Sequence, residues 1–370
     1  MEDIKLMKGN EVLAYAAVRC GADGYFGYPI TPQSEVLETL TELRPWETTG
    51  MVVLQAESEV AAINMVYGGA SVGKRVMTST SSPGLSLMCE GLSYLAGAEL
   101  PCVVIDVSRG GPGLGTIQAS QADYFQVVKG GGHGDYRMPV LAPNSVQEMN
   151  DFVDLAFELA FKYLNPAMIL ADGVIGQMME KVRLNPQKPR RTEEQIRREC
   201  PWAALGKGSG AAQRKDRNIV TSCYIDPETM ERHNHKLQAK YERMEREEVR
   251  VEEMETADAE YILVAYGASS RICAKVVEDA RAEGLRVGLI RPITLFPFPT
   301  ETIRRAARNG ARGFLSVELS MGQMIEDVRL AVGDATIPVR HFGRTGGIIH
   351  SPREVFAALK QFMTETGGRQ

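Results

Sequence analysis

Along the first 180 residues, apolar positions repeat with two alternating periods. Helical spacing runs over Glu11–Cys20, Ser34–Arg44, Glu59–Val72, Leu85–Ala96 and Val146–Tyr163. Between these stretches lie short runs with apolar residues at successive positions: Gly24–Gly27, Met51–Leu54, Arg75–Thr78, Cys102–Val107, Pro139–Leu141 and Ala167–Leu170. A strand that is apolar on both faces must be covered on both, as in a parallel sheet between helix layers. The predicted fold class is therefore α/β, built around a mainly parallel sheet. Gly21 reads as a helix stop, and Pro32 suits the first turn of the next helix. The alternation resumes near Tyr261, with strands predicted at Tyr261–Tyr266, Val287–Ile290, Gly313–Val317 and Ile337–Val339. Helices are predicted near Arg271–Arg281, Thr300–Ala307, Gln323–Ala331 and Arg353–Phe362, giving a second, smaller α/β domain.

The stretch between the two differs. Residues 181–250 hold 17 Lys/Arg and 11 Asp/Glu, so 40% are charged against 24% for the chain. Lys207–Gly210 reads as a flexible turn. Asp226-Pro227 is a strong helix start, with Asp as cap and Pro at the first helical position. Leu237, Tyr241 and Met244 then form one apolar stripe. The expected organisation is a first domain over 1–180, a charged and largely exposed linker with one amphipathic helix over 181–255, and a second domain over 256–370. A nucleic-acid arm is the minor alternative for the linker.

Composition narrows the function classes. With 370 residues, 44% of them hydrophobic, the chain has enough material for two cored domains. Its 42 basic and 47 acidic residues sum to −5, which argues against a chain-wide nucleic-acid or membrane footprint. No apolar run approaches a membrane span, and the Glu/Lys-bearing start does not read as a signal peptide. The six cysteines are scattered without a CxxC pair, so neither a zinc site nor an iron–sulfur run is expected on this chain. Scattered thiols fit a reducing cytoplasm.

The candidate chemistry follows from the fold class. In a parallel sheet the carboxyl ends of the strands open on one edge, where ligands bind. The segments expected there are Tyr28–Pro32, Gln55–Glu59, Thr78–Gly84 and Ser108–Gly113. Together they bring hydroxyls, the carboxylates of Glu57 and Glu59, the Arg109 guanidinium and several glycines to one place. Taken singly, each piece also has an ordinary reading. Pro29 and Pro32 stiffen a turn, Ser81–Gly84 starts a helix, and Glu57 and Glu59 are favourable charges at a helix N-terminus. Arg109 alone would be a surface ion-pair partner, and its glycines make neither a GxxxxGK[ST] nor a GxGxxG phosphate loop. A second glycine-dense loop, Lys129–Arg137, lets backbone approach a ligand or another chain closely, and His133 there is a candidate proton-transfer residue. His233 and His235, two apart on a helix, face different directions and do not suggest a metal site. Asp172-Gly173 reads as a turn.

The YPITP turn (Tyr28–Pro32), QAESEVAAINM (Gln55–Met65), SSPG (Ser81–Gly84) and SRGGPGLGT (Ser108–Thr116) occur in that order. With them the chain resembles the alpha subunit of 2-oxoacid:ferredoxin oxidoreductases over nearly its whole length. Gly110–Phe125 looks most like the branched-chain (3-methyl-2-oxobutanoate) members, since 2-oxoglutarate members usually carry a GGPSTG-type loop. The resemblance implies a first domain that binds the aminopyrimidine half of thiamine diphosphate, and a last domain similar to the transketolase carboxyl-terminal domain. It places magnesium and the diphosphate on a beta subunit marked by a GDG…N pattern, from which Ala171-Asp172-Gly173 departs. It places the iron–sulfur clusters on partner subunits, the expected partners being the beta subunit, a ferredoxin-like subunit and, as an open option, a gamma subunit.

By the same resemblance Glu59 is the catalytic carboxylate on the pyrimidine ring nitrogen, with Glu57 as its rival. Thr31 lies at the reacting carbonyl and Arg109 at the substrate carboxylate, for which a planar guanidinium fork is well suited. Tyr28, Pro29, Ile30 and Ser82 complete the cofactor side, and this chain supplies no metal ligand. Leu114, Ile117 and Gln118 are expected to line the side-chain pocket. The implied reaction is oxidative decarboxylation of a 2-oxo acid to acyl-CoA and CO2, with electrons passing to ferredoxin. Alternatives left open are the same reaction on 2-oxoglutarate or pyruvate, a non-oxidative thiamine decarboxylase or transketolase-like subunit, and a non-catalytic scaffold.

Overall fold

Among the described residues, fourteen strands arise where the apolar runs lie or where short edge segments pair with them. A computed structural model describes residues 3–206 and 217–367; Lys207–Gly210, predicted as a turn, lies outside the described residues. In chain order the strands are β1 (Ile4–Lys8), β2 (Gly24–Gly27), β3 (Val52–Gln55), β4 (Val76–Thr80), β5 (Cys102–Ser108), β6 (Val140–Leu141) and β7 (Pro166–Asp172). They continue with β8 (Met179–Arg183), β9 (Val251–Met254), β10 (Tyr261–Val264), β11 (Val287–Pro292), β12 (Thr294–Phe296), β13 (Gly313–Glu318) and β14 (Val339–Gly343). A seven-stranded sheet runs β12-β6-β7-β5-β4-β2-β3 and is parallel except for β12. A five-stranded sheet runs β14-β13-β10-β11-β9 and is parallel except for β9.

The predicted mainly parallel α/β architecture is thus present in both halves. The central strands β4, β5 and β7 are buried at every position, as their uninterrupted apolar runs require. In β10 the residues alternate between two cores. Ile262 and Val264 join the large cluster that also holds Tyr25, Val104 and Ile169, whereas Tyr261 and Leu263 join a smaller one with Val276, Leu359 and Phe362. The large cluster includes Tyr266, Phe296 and Met324, so one apolar core runs beneath both sheets. Residues 294–296, far along the chain, pair with β6 and complete the first sheet from the second half.

Three local expectations are corrected. Pro32 is not in the first helical turn: the helix is Ser34–Leu43, and the Pro32 carbonyl is instead held by Asn10 Nδ2 at 2.6 Å and Gln177 Nε2 at 2.9 Å. Asp172-Gly173 is not a plain turn. The Asp172 carboxylate caps the helix Gly173–Gln177 through the Val174 and Ile175 amides, and its other oxygen accepts from the Ala268 amide at 2.8 Å, at the start of Gly267–Ala282. The Leu237, Tyr241 and Met244 stripe packs as its spacing predicts, but the rest of the charged stretch is less exposed than its composition implies. Leu184 and Ile196 are buried, β8 pairs with β1, and Arg190 binds the buried Asp23 at 3.0 Å. The helix Pro227–Glu247 starts as read, with the Asp226 carboxylate accepting from the Thr229 amide at 2.9 Å.

Candidate functional site

The carboxyl ends of β2, β3, β4 and β5 open on one edge, and the four polar segments meet there. Ser58 caps the helix Glu59–Ser71 by accepting from the Ala61 amide at 3.2 Å, which makes Glu59 its first residue. Glu59 is only 6% exposed, whereas Glu57 two residues earlier is exposed. Among the described residues the Glu59 carboxylate makes no hydrogen bond or ion pair. It lies against Gly84, where an added Cβ would come within 2.6 Å of its Oε1 and 2.2 Å of Thr80 Oγ1. A glycine is what this contact requires. The surrounding hydroxyls of Thr78, Thr80 and Ser81 are buried and also lack partners. A buried carboxylate beside unpaired hydroxyls is costly unless something supplies donors.

Thr31 and Arg109 are brought together through the Thr31 backbone. Arg109 Nη1 donates to the Thr31 carbonyl at 2.9 Å, and Nη2 donates to the Leu114 carbonyl at 3.0 Å. The guanidinium therefore ties the YPITP turn to the glycine-rich loop. Thr31 and Pro29 are exposed, while Tyr28 and Ile30 are half-buried beside them. Leu114 is 81% exposed, Ile117 57%. The Ser82 hydroxyl accepts from the Arg109 amide at 2.9 Å and donates to Asp123 Oδ2 at 2.5 Å. It thereby joins the two ends of that loop.

Several groups here escaped sequence reading. Asp106 is fully buried in β5, and burial, with the Asp123 carboxyl beside it, pushes its carboxyl well above the usual range. A lone acid inside the run Cys102–Val107 was the available signal. Asn10, Gln177 and Gln121 are single polar residues far apart in sequence, and nothing in the pattern marked them. Tyr25, raised to about 12 by burial, meets Ser79 Oγ at 2.6 Å beneath the edge.

The other candidates lie elsewhere. The Gly131–Gly132 backbone packs on the middle of helix Ser82–Gly97, and the His133 carbonyl accepts from Ser93 Oγ at 2.6 Å, so this loop serves packing away from the edge. His233 contacts the Gly97 carbonyl through Nε2 at 2.7 Å, while His235 is exposed. A cleft of about 1210 Å³ lies between Arg312, Arg329, Arg340 and the end of helix Pro352–Gly367. It sits at the amino ends of β13 and β14 and contains none of the candidate residues.

Comparisons with known proteins give the chain's family. Residues 15–254 match the model of the thiamine-diphosphate-binding part of pyruvate flavodoxin/ferredoxin oxidoreductases, and residues 259–355 match core domain II of pyruvate:ferredoxin oxidoreductase. The chain belongs to this family, the 2-oxoacid:ferredoxin oxidoreductases, as one of its subunits. It is 50% identical over 362 residues to the ketoisovalerate oxidoreductase subunit VorB of Methanothermobacter marburgensis, covering 98% of this chain and 99% of that one. It is 34% identical over 375 residues to the 2-oxoglutarate synthase subunit KorA of Methanocaldococcus jannaschii, with 96% and 99% covered. Among solved structures it resembles 2-oxoglutarate:ferredoxin oxidoreductase from Magnetococcus marinus, with bound 2-oxoglutarate, coenzyme A and succinyl-CoA, at TM-score 0.81 and 26% identity. That match covers 97% of this chain, which spans about 65% of the longer one.

Proposed function

We propose that this chain supplies the pyrimidine half of the active site in a branched-chain 2-oxoacid:ferredoxin oxidoreductase. Its reaction is the oxidative decarboxylation of 3-methyl-2-oxobutanoate to the acyl-CoA and CO2, with electrons leaving to ferredoxin. The observation that carries the reading is the buried, partnerless Glu59 carboxylate resting on the bare backbone of Gly84. Thiamine diphosphate supplies, when bound, the carbon nucleophile and the means of storing the electrons released. The residues here fit its pyrimidine ring, because the orphaned Thr80 and Ser81 hydroxyls and the Glu59 carboxylate want polar partners that a flat aminopyrimidine carries.

In this reading Glu59 holds a proton at the ring nitrogen, shielded from water so that the proton is shared rather than lost. Tyr28, Pro29 and Ile30 form the wall of the turn beside it. Arg109 retains free donor capacity on its two Nη atoms beyond the Thr31 and Leu114 carbonyls, and directs it at the substrate carboxylate. The Thr31 hydroxyl, exposed at the same turn, faces the reacting carbonyl. Ser82 acts through the loop it fastens, since its hydroxyl is committed to donating to Asp123. Magnesium, the diphosphate site and the iron–sulfur clusters belong to partner subunits: a thiamine-binding beta subunit and ferredoxin-like or gamma chains in the same cytoplasmic complex.

The substrate assignment rests on the GGPGLG loop and on the 50% against 34% identities. A substrate panel on the assembled enzyme, following CoA-dependent reduction of an artificial acceptor, tests it. The expected order in kcat/KM is 3-methyl-2-oxobutanoate well ahead of pyruvate and 2-oxoglutarate. A preference for 2-oxoglutarate would overturn the assignment.

A further inference from the structure

The segment following the glycine-rich loop is fastened to the other half of the chain, and Gln121 is the hub. Its amide donates to Asp172 Oδ2 at 3.2 Å and to the Tyr266 carbonyl at 2.9 Å. Its side-chain oxygen accepts from the Ser269 hydroxyl at 2.9 Å and the Leu319 amide at 3.0 Å. The Gln121 backbone donates to the Leu319 carbonyl at 2.9 Å and accepts from the Tyr266 hydroxyl at 3.1 Å. Both donors and both lone pairs of the side-chain amide are thus in use, in a residue only 2% exposed. Gln323 extends the joint by donating to the Ala122 carbonyl at 2.7 Å and accepting from the Phe125 amide at 2.8 Å.

The loop on the other side of this joint is closed on itself by a few backbone bonds, the Gly110 amide to the Gln118 carbonyl at 3.0 Å and the Thr116 amide to the Gly110 carbonyl at 2.8 Å. Between Arg109 and Thr116 four residues are glycine, so its backbone still has more freedom than those bonds alone remove. Arg109 reaches the Thr31 and Leu114 carbonyls only while that backbone keeps its course. Ser82 fixes where the loop starts and Asp123 where it ends, but neither reaches the second half of the chain.

We propose that Gln121 is a positioning residue: beside the Ser120 hydroxyl on the Leu319 carbonyl and the Gly346–Gly347 backbone on Gly110, it is the main joint through which the carboxyl-terminal half fixes the conformation of the 109–120 loop and so the aim of Arg109. Its consequence for substrate rests on the reading of Arg109 as the carboxylate clamp. When the joint is cut, the loop spends less time in the competent conformation, and apparent substrate affinity falls by that fraction.

The test uses Gln121→Leu, and Ser269→Ala as a milder cut that removes one of the four side-chain bonds, both in the assembled enzyme. Hydrogen exchange over residues 109–120 is measured beside KM, kcat and the rate of thiamine C2 proton exchange. In Gln121→Leu the loop should exchange faster and KM for 3-methyl-2-oxobutanoate should rise about tenfold, with kcat and C2 exchange within about twofold. Ser269→Ala should move both readouts the same way by less. If Gln121→Leu does not assemble, Ser269→Ala alone decides on the same criterion. Unchanged loop exchange together with a lower melting temperature would mean that Gln121 only cements the two halves, and the proposal fails. Faster loop exchange with KM unmoved both here and in Arg109→Met supports the joint and overturns the clamp reading instead.

Discussion

Two carboxylates two residues apart, Glu57 and Glu59, show how much a single position decides. Glu57 precedes the Ser58 cap and Glu59 is the first residue of the helix, so one is exposed and the other is buried against Gly84. Only the buried one can share a proton with a ring without losing it to water. Glu59→Gln should therefore slow both turnover and thiamine C2 proton exchange by a factor of order 10²–10⁴, while Glu57→Gln stays near wild type. The reverse order would put the wrong carboxylate at the ring. Arg109→Met should cost about 2–5 kcal/mol in kcat/KM for every 2-oxo acid alike, and leave C2 exchange intact. A loss confined to one substrate would make Arg109 a side-chain selector rather than a carboxylate clamp. His350 offers a separate, pH-dependent check on the fold. It is 2% exposed, neither ring nitrogen has a partner, and burial lowers its pKa from 6.5 to about 4. The unfolded chain takes up this proton near pH 6.5 and the folded chain does not, so stability falls as pH drops from 6.5 toward 4 and is unaffected above. His350→Phe should remove this component, worth about 2 kcal/mol at pH 5, seen as a smaller drop in melting temperature between pH 7 and pH 5.

At the scale of elements, the central strands and long helices were legible because burial on both faces writes itself into the sequence. Helix Val146–Tyr163 has the bounds its periodicity predicts, and β5 and β7 match their apolar runs closely. The strands that escaped were β1, β8, β9 and β12. They are short edge strands, charged and partly exposed in β1, β8 and β9 and buried Thr-Leu-Phe in β12, whose identity comes from a distant partner rather than from their own pattern. The motifs after β4 and β5 were legible for the same reason as those central strands, and the other two because they follow short apolar runs of the same sheet. The clasp of Ser82 with Asp123 and the Gln121 joint were not, since each depends on residues brought together only by the fold. The Lys129–Arg137 glycines were legible as a close-approach strip, but what they approach is the protein's own helix. An added Cβ at Gly132 would lie 2.3 Å from the Cys89 carbonyl oxygen, a backbone atom that cannot step aside. Gly132→Ala should therefore destabilise the chain by about 1–3 kcal/mol, by thermal unfolding, without changing KM in the protein that remains folded. A KM shift with unaltered stability would restore a functional role to that loop.

At the scale of the whole molecule, the proposed function makes the candidate edge one wall of a site. Thr31 and Pro29 stand exposed beside a buried carboxylate that lacks a partner. Apolar side chains crowd the loops that meet there: Leu114 and Ile117 in the glycine-rich loop, and Ile348 and Ile349 in the segment whose Gly346 and Gly347 backbone packs on Gly110 and Gln118. Leaving such a cluster in water is unfavourable, and its position beside the polar residues suits a surface that a second subunit covers. The same cover would exclude water from Glu59 and Arg109, which strengthens every charged interaction the proposed reaction relies on. Purified by itself, the chain should fold, bind thiamine diphosphate weakly and show no turnover with any 2-oxo acid. Adding the beta subunit should restore C2 proton exchange, and adding the cluster-bearing chains should restore CoA-dependent acceptor reduction. Hydrogen exchange should slow over residues 109–120 and 344–350 at the first of these steps, because that is when the edge is covered. Turnover by the partner-free chain, or protection that appears only at the helix Pro227–Glu247, would show that the site is not completed across this edge.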